Sequence, residues 1–322
     1  MTADIKRPLI VITGPTASGK TGLSVRIAKA LSGEIVSADS MQLYRYMDIG
    51  TAKIREDEKG GIPHHLIDVL EPTQECNVYR FRDMVKEAVS GIYERGRIPI
   101  LAGGTGFYIR AIVYDTAFEE EKDEGTVRKR LMEEADTLGP HALWERLNRI
   151  DPESALMIHE NNIKRVIRAL EYNELTGGLI SEHNRREKER EAAFDHITFV
   201  LTMDRSLLYE RINRRVDQMI EEGLVDEVKN LMDKGLADRS STAMQAIGYR
   251  EIYDHLTGSY SLDRAVYLIK QNTRHFAKRQ LTWFRMQRDV TWIDNTDLSG
   301  DRAYEQMMKV IEERWGKIGT DI

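Results

Sequence analysis

Residues 14–21 read Gly14-Pro15-Thr16-Ala17-Ser18-Gly19-Lys20-Thr21 and match the phosphate-loop pattern G-x-x-x-x-G-K-[ST] at every fixed position. The apolar run Leu9–Thr13 before the loop predicts a buried strand, and the apolar spacing after it predicts a helix over Thr21–Leu31. A loop in that setting turns its backbone N–H groups inward, and the helix N-terminus adds about half a positive charge. We therefore predict that the loop holds a di- or triphosphate, that Lys20 reaches its terminal phosphates, and that the Thr21 hydroxyl binds Mg²⁺.

Strand and helix patterns alternate through the first hundred residues. The predicted strands there are Leu9–Thr13, Glu34–Ser37 and Pro99–Ala102, and the predicted helices are Thr21–Leu31 and Tyr79–Arg95. Two later strands are predicted at Ile197–Met203 and Val290–Ile293. This alternation predicts an α/β fold with a P-loop NTPase-like parallel sheet flanked by helices.

Residues 116–194 differ from the sequence on either side. They carry no clear strand pattern and are rich in Glu, Lys, Arg and Leu, with Pro140 and Pro152 as helix-start or loop signals. We predict a helical insertion domain over residues 116–194. The catalytic core is then formed by residues 1–115 together with residues 195–322.

The composition narrows the class of protein. Of the 322 residues, 41% are hydrophobic, which is enough for a packed core. The apolar runs fall far short of the roughly 20 residues that span a bilayer, and no apolar signal segment precedes the first strand. A single cysteine, Cys76, excludes an internal disulfide, and the adjacent His64 and His65 make a poor metal pair. We therefore expect a cytoplasmic protein without a membrane partner.

Three predicted strands end in residues suited to chemistry. The first strand runs into the phosphate loop, the second into Asp39 and the third into Gly103-Gly104-Thr105-Gly106. Ligands of parallel sheets bind beyond the carboxyl ends of the strands, so we expect these three ends to meet. Asp39 is suited there to holding Mg²⁺ through water or to accepting a proton from a nucleophile. A helix-cap aspartate and a tight glycine turn are the simpler alternatives.

Positive charge is concentrated towards the C-terminus, although the net charge is −6. From Arg264 to Arg288 no Asp or Glu interrupts seven Lys and Arg residues, and aromatic residues lie among them. This pattern indicates either a contact surface for a phosphate backbone or a solvated helix face. Arg211, Arg214 and Arg215 also lie at helical spacing, where they either stabilise a leaving group or form surface ion pairs.

Several further stretches resemble the tRNA dimethylallyltransferase family, the bacterial tRNA isopentenyltransferases or IPP transferases. Besides the phosphate loop, the matching stretches are Ser37–Arg45, Asp48–Lys53, Pro63–Asp68, Gly103–Tyr108, Arg165–Glu171, Ala246–Arg250 and Thr273–Arg285. They occur in the order typical of the family, and Asp39–Arg45 and Thr273–Arg285 are the most specific of them. The stretch Cys76–Arg82 departs from the family pattern.

The resemblance implies transfer of a dimethylallyl group from dimethylallyl diphosphate to N6 of the adenosine directly 3′ of the tRNA anticodon. It implies that the phosphate loop holds the diphosphate of this donor, that Asp39 accepts the proton, and that Thr105 and Arg215 act on the leaving group. The residues implied to contact the tRNA anticodon stem-loop are Asp39, Ser40, Met41, Gln42, Lys164, Arg165, Arg168, Arg274, Lys278, Arg279 and Arg285. We expect Mg²⁺, bound by Thr21, as the cofactor, and a monomeric enzyme.

Three other functions remain open on the residues alone. A small-molecule P-loop kinase that binds ATP shares the loop and the placement of Asp39, but it needs neither the basic stretch nor the insertion. A prenyltransferase that acts on free AMP, ADP or ATP is a close variant of the tRNA dimethylallyltransferase hypothesis. An RNA-binding nucleotide switch would bind RNA without changing it covalently.

Overall fold

The computed structural model describes residues 6–116, 125–297 and 299–316. The chain divides into two compact units, of which the first is Met1–Asp115 with Ala192–Ile322 and the second is Thr116–Glu191. The second junction lies three residues before the predicted boundary at residue 195.

A six-stranded sheet is the centre of the first unit. Its strands are β1 (Pro8–Thr13), β2 (Glu34–Ser37), β3 (His64–His65), β4 (Pro99–Gly103), β5 (Asp195–Thr202) and β6 (Val290–Asp294). They are arranged in the order β3-β2-β4-β1-β5-β6, and every neighbouring pair is parallel. This sheet and its flanking helices confirm the predicted fold class.

Helices make up most of the rest of the described chain. They are α1 (Lys20–Leu31), α2 (Val78–Glu94), α3 (Gly106–Val113), α4 (Thr126–Leu138), α5 (Pro140–Ile150), α6 (Pro152–Met157), α7 (Ile163–Thr176), α8 (Ile180–Glu189), α9 (Arg205–Glu221), α10 (Leu224–Asp233), α11 (Tyr249–Leu256), α12 (Leu262–Arg285) and α13 (Asp301–Trp315). Within the described ranges, none of these helices is long and apolar enough to cross a membrane.

Strand β1 is apolar from Leu9 to Ile12 because helices cover both faces of the sheet. Along β1, Leu9 and Val11 face one hydrophobic core, which includes residues of α2, α3, α10, α11 and α12. Ile10 and Ile12 face the other core, which includes residues of α1 and α13. All four side chains are fully buried. The continuous apolar run of β1 therefore follows from its central position.

The second unit is helical over its described residues and contains α4 to α8. Its core is an apolar cluster that includes Leu131, Leu147, Val166 and Leu170. Buried Asp151 organises one end of this unit, since its carboxylate accepts hydrogen bonds from the N–H groups of Ser154 and Ser181. These helices lie within residues 116–194, for which a helical insertion domain is predicted.

Gly103 allows β4 to approach the end of β2. A Cβ atom at this position would lie 2.3 Å from the backbone carbonyl of Ala38, which cannot move away easily. We expect Gly103→Ala to lower the free energy of unfolding by about 3 kcal/mol, measured by urea denaturation. Gly22→Ala is the matched control, because a Cβ there meets no atom within 4 Å. Equal urea midpoints for the two variants would contradict this close approach.

Candidate active site

The phosphate loop runs from the end of β1 into the first turn of α1. The Thr13 hydroxyl donates a hydrogen bond to the Gly103 carbonyl over 2.8 Å, which ties β1 to β4 at the start of the loop. Gly14 has a φ of +142°, and a Cβ atom on it would lie 2.6 Å from the Leu201 carbonyl oxygen. Only glycine fits this position, so the first glycine of the motif is required by the contact with β5.

Lys20 lies over the hollow of the loop. Its ammonium group donates hydrogen bonds to the carbonyl oxygens of Gly14 and Pro15, over 3.1 and 2.7 Å. Burial lowers the pKa of Lys20 to about 8, the negative charge of Asp39 opposes this change, and the positive charge of Arg215 adds to it. An anion bound in the loop would favour the charged form of Lys20.

Asp39 follows β2 in a short turn. Its Oδ1 accepts a hydrogen bond from the Met41 N–H over 3.0 Å. Two residues before it, the Ser37 hydroxyl donates to Oε1 of Gln42 over 3.0 Å. The turn from Ser37 to Gln42 is therefore held by its own side chains. Residues 39–42 are all partly exposed at this end of the sheet.

Thr105 lies between β4 and α3. Its backbone N–H points to the Ala38 carbonyl over 3.4 Å, next to Asp39. Thr105 is the N-cap residue of α3, but its hydroxyl makes no capping hydrogen bond. Since β4 lies between β2 and β1 in the sheet, the ends of all three strands are neighbours. The structure thus brings Asp39 and Thr105 next to the phosphate loop.

The three arginines of α9 do not share one face. Arg211 donates from Nε to the Ala17 carbonyl over 3.0 Å, which places it against the phosphate loop. Arg215 points the same way, and burial and Arg211 lower its pKa while Asp39 raises it. Arg214 instead forms an ion pair with Glu210 at 2.6 Å on the exposed surface. The spacing of the arginines in the sequence could not show which of them lies at the phosphate loop and which forms a surface ion pair.

Lys20 and Arg215 are therefore within electrostatic reach of Asp39 at the phosphate loop. A family model described as IPP transferase matches residues 42–287. The chain belongs to the IPP transferase family.

Individual relatives of this IPP transferase family member are similar over nearly their whole length. The chain is 50% identical to a tRNA dimethylallyltransferase of Lachnoclostridium phytofermentans, over 96% of this chain and 98% of the relative. It is 48% identical to a tRNA dimethylallyltransferase of Halalkalibacterium halodurans, over 95% of this chain and 97% of the relative.

Solved structures of IPP transferases have the same fold. A tRNA isopentenylpyrophosphate transferase from Bacillus halodurans is 45% identical, with a TM-score of 0.73 and coverage of 96% of this chain and 97% of that one. A eukaryotic dimethylallyltransferase acting on tRNA is 29% identical, with a TM-score of 0.81 and coverage of 95% of this chain and 79% of that one.

In this family member, six of the seven cations of the basic stretch lie on one long helix, α12, and Arg288 follows its end. Lys278, Arg279 and Arg285 are exposed on it, and the Arg279 guanidinium lies 5.7 Å from the centre of the Phe276 ring. Arg274 is partly buried and donates to Oδ1 of Asn213 over 2.6 Å. Three of the four α12 residues predicted to bind RNA are therefore exposed, while Arg274 also braces α9.

The other predicted RNA contacts lie in the second unit, on α7. Lys164 and Arg165 are exposed in the first turn of this helix. Arg168 is exposed as well, but it forms an ion pair with buried Glu171 at 3.1 Å. Glu171 also binds Arg128 at 2.6 Å, so part of the charge of Arg168 is balanced within the unit.

Two residues of the C-terminal part hold the phosphate loop and were not predicted. Gln280 accepts a hydrogen bond from the Thr16 N–H over 3.0 Å, and Asn295 donates to the Ser18 carbonyl over 2.8 Å. Both side chains are buried. The sequence could have indicated that Gln280 is buried, because Gln280 lies at helical spacing from the buried Ala277 and Phe284. A polar residue on an apolar helix face needs a partner.

Glu227 on α10 was also missed. Its carboxylate accepts hydrogen bonds from the N–H groups of Asp48, Ile49 and Gly50, over 2.8 to 3.2 Å, and from the Tyr249 hydroxyl over 2.5 Å. The loop that contains Asp48, Ile49 and Gly50 lies beside the candidate site, since the carbonyl oxygen of Ala52 in the same loop is 3.5 Å from Nη2 of Arg215. The stretch Asp48–Lys53, which resembles the family, is thus a loop held by the carboxylate of Glu227, a residue far away in the sequence.

His64 and His65 form β3, which was not predicted as a strand. The His65 ring binds the carboxylate of buried Glu34 at 2.7 Å, and His64 Nδ1 lies 2.8 Å from the Ile62 carbonyl. In the described part of the chain, no group of three or more His, Cys, Asp or Glu residues is arranged to hold a metal ion. Both histidine rings are therefore held by polar contacts to neighbouring residues of the first unit.

Proposed function

We propose that this protein transfers the dimethylallyl group of dimethylallyl diphosphate to N6 of the adenosine directly 3′ of a tRNA anticodon. The observation that carries the proposal is the meeting of a phosphate loop, an aspartate and a threonine at three adjacent strand ends. The similarity to tRNA dimethylallyltransferases supports the same reaction. A tRNA substrate also favours the predicted cytoplasmic location.

The diphosphate of the donor lies in the phosphate loop in this mechanism. As the allylic C–O bond breaks, negative charge develops on the diphosphate and positive charge on the dimethylallyl carbon. Lys20 and Arg215 are both near this loop, and they stabilise the leaving diphosphate. The Thr105 hydroxyl, which makes no capping bond, is available to the same group.

Asp39 serves the acceptor side of the reaction. The exocyclic amine of adenine is a weak nucleophile, and it loses one proton when the new C–N bond forms. Asp39 accepts this proton and orients the amine, because it directly follows Ala38, whose carbonyl faces the Thr105 N–H, and its carboxylate is within the electrostatic reach of Lys20. The adenine base has to leave the anticodon-loop stack to reach this position.

Mg²⁺ fits the residues at this site. Thr21 is exposed in the first turn of α1, where a metal-bound diphosphate would lie. Mg²⁺ prefers one or two protein oxygens together with phosphate oxygens and water, so it needs no cluster of protein ligands here. When bound, the ion neutralises charge on the leaving diphosphate.

The RNA contacts in this proposal come from both units. Ser40, Met41 and Gln42 follow Asp39 directly and are placed to read the extruded base. The exposed cations of α12 and α7 bind phosphates of the anticodon stem-loop, and the aromatic residues of α12 offer stacking surfaces. The predicted monomer remains a prediction.

A transfer assay tests the proposed function. Unmodified tRNA anticodon stem-loop, Mg²⁺ and labelled dimethylallyl diphosphate should give labelled RNA, and mass spectrometry should place the added group on the predicted adenosine. ATP should not replace the donor, and free AMP, ADP or ATP should not replace the RNA. Phosphorylation of a metabolite would favour a kinase, and RNA binding without covalent change would favour a nucleotide switch.

The pKa of Lys20 makes the reaction sensitive to pH. Burial lowers this pKa from 10.5 to about 8, so the ammonium loses its proton in the free enzyme as the pH rises above about 8. We expect kcat/KM for the donor to fall above that pH, by about tenfold per pH unit at the limit.

The control for this pH dependence is Lys20→Arg, since arginine stays charged throughout the range. Its kcat/KM should be lower overall, but it should not fall between pH 8 and 9.5. A wild-type profile that stays flat up to pH 9.5 would contradict the assignment.

A further inference from the structure

We propose that Gln280 is a positioning residue that fixes the distance between the phosphate loop and Thr105. This inference rests on the proposed transfer reaction, in which the loop holds the diphosphate and the β4 end that carries Thr105 lies next to the β2 end that carries Asp39, the proton acceptor. Gln280 belongs to α12, whose outer face carries the exposed cations, but its own side chain points inward and is 6% exposed.

Both ends of the Gln280 amide are used. Its Oε1 accepts a hydrogen bond from the Thr16 N–H over 3.0 Å, and its Nε2 donates to the Gly104 carbonyl over 2.8 Å. This pattern fixes the orientation of the amide, because a flipped amide would place its NH₂ against a donor and its oxygen against an acceptor. A single side chain therefore bridges the phosphate loop and the residue before Thr105.

The space around the amide is closed on the Gly104 side. A Cβ atom on Gly104 would lie 2.3 Å from Nε2 of Gln280. The missing side chain of Gly104 thus makes room for the bridge. The Thr16 N–H, which could otherwise bind a phosphate oxygen, is occupied by protein, so its role is to set the shape of the loop.

The bridge matters because transfer depends on distance. The breaking C–O bond lies on the side of the loop, and the amine lies on the side of its proton acceptor, Asp39, whose turn contacts the β4 end through the Thr105 N–H and the Ala38 carbonyl. A shift of about 1 Å between reacting groups can cost roughly 10²-fold in rate. Loss of the bridge should therefore affect turnover of the donor and leave RNA binding, which uses the outer face of α12, almost unchanged.

Gln280→Glu gives the sharpest test. The ionised carboxylate still accepts from Thr16, but it opposes the Gly104 carbonyl. A protonated carboxyl group donates to Gly104 and restores both bonds. We expect kcat/KM for dimethylallyl diphosphate to be about 30-fold below wild type at pH 8, and the ratio to wild type to recover as the pH falls towards 6. The Kd for the stem-loop should stay within about twofold of wild type.

Two further variants and one control complete the test. Gln280→Met removes both hydrogen bonds and should give a loss that does not recover at low pH. Gly104→Ala displaces the amide without changing it, and its effect should not add to that of Gln280→Met. Gln271→Glu is the matched control, because it makes the same substitution on α12 away from the phosphate loop.

The outcomes separate this inference from the proposed function. If wild-type enzyme fails to transfer the dimethylallyl group, the proposed function fails. If it transfers the group and any folded variant of Gln280 or Gly104 keeps wild-type kcat/KM at pH 8, the positioning role is overturned. The role is also overturned if RNA affinity falls in proportion to kcat/KM, or if Gln280→Glu shows no recovery at low pH.

Discussion

Asp39→Asn is expected to lower the rate of dimethylallyl transfer by about 10³-fold, the usual scale for loss of a general base. Asparagine keeps the size of the side chain and can still accept the hydrogen bond from the Met41 N–H, so the turn after β2 should be preserved. It cannot accept the proton that the adenine amine loses. It also removes the negative charge that faces Lys20 and Arg215. Single-turnover rates with saturating donor and stem-loop measure the effect.

A binding measurement and a matched variant show whether the lower transfer rate of Asp39→Asn reflects loss of the proton acceptor. The Kd for the stem-loop should change by less than about threefold, because phosphate contacts made elsewhere dominate RNA affinity. Asp226→Asn is a matched variant, since Asp226 is exposed on α10 and carries the same charge. It should transfer at the wild-type rate. A near-normal rate for Asp39→Asn would remove Asp39 from the mechanism.

Lys20→Met should lower kcat/KM for the donor by about 10² to 10³-fold, the range seen when one charged or polar group is removed from a developing anion. Methionine fills the space of the lysine chain but offers no charge to the leaving diphosphate. The effect should appear in kcat as well as in KM, because negative charge grows on the diphosphate as the bond breaks. Initial rates over a range of donor concentrations, with saturating RNA, separate the two.

The stability of this variant gives an independent check. The pKa of Lys20 is lower in the folded protein than the ordinary value of 10.5, so the fold disfavours the charged form. Lys20→Met should therefore not reduce the urea midpoint at neutral pH. Lys29→Met, at the exposed end of the same helix, is the kinetic control. A kcat/KM for Lys20→Met close to that of Lys29→Met would argue against a leaving-group role.

The sheet could be predicted because its central strands are continuous apolar runs between loop signals. Glu34–Ser37 was predicted with its observed bounds, and the other predicted strands differ from the observed ones by two residues or fewer at either end. The exception is β3, which has only two residues and no apolar run. His64 and His65 become a strand because Ile35 and Val36 offer a paired edge. Such pairing is a tertiary effect and leaves no local pattern.

Three residues of the candidate site could be predicted from motifs. Lys20, Asp39 and Thr105 lie at strand ends, so their meeting follows from the parallel sheet alone. The residues that hold them in place do not follow in this way. Glu227 contacts a loop that lies 177 to 179 positions earlier in the chain. No local sequence pattern in either segment predicts this contact. The register between α10 and that loop is decided by packing.

The hydrogen bonds that hold the phosphate loop also bear on how the protein is made. The Thr16 N–H is bonded to a residue 264 positions later, and the Ser18 carbonyl to one 277 positions later. Contacts of such high sequence separation form late, after a large entropy of loop closure has been overcome. A nascent chain on the ribosome presents the motif within its first residues, yet its loop acquires these two anchors only when β6 has emerged. The first motif of the chain is therefore held in its final shape by hydrogen bonds that are both in place only after residue 295 has been synthesised.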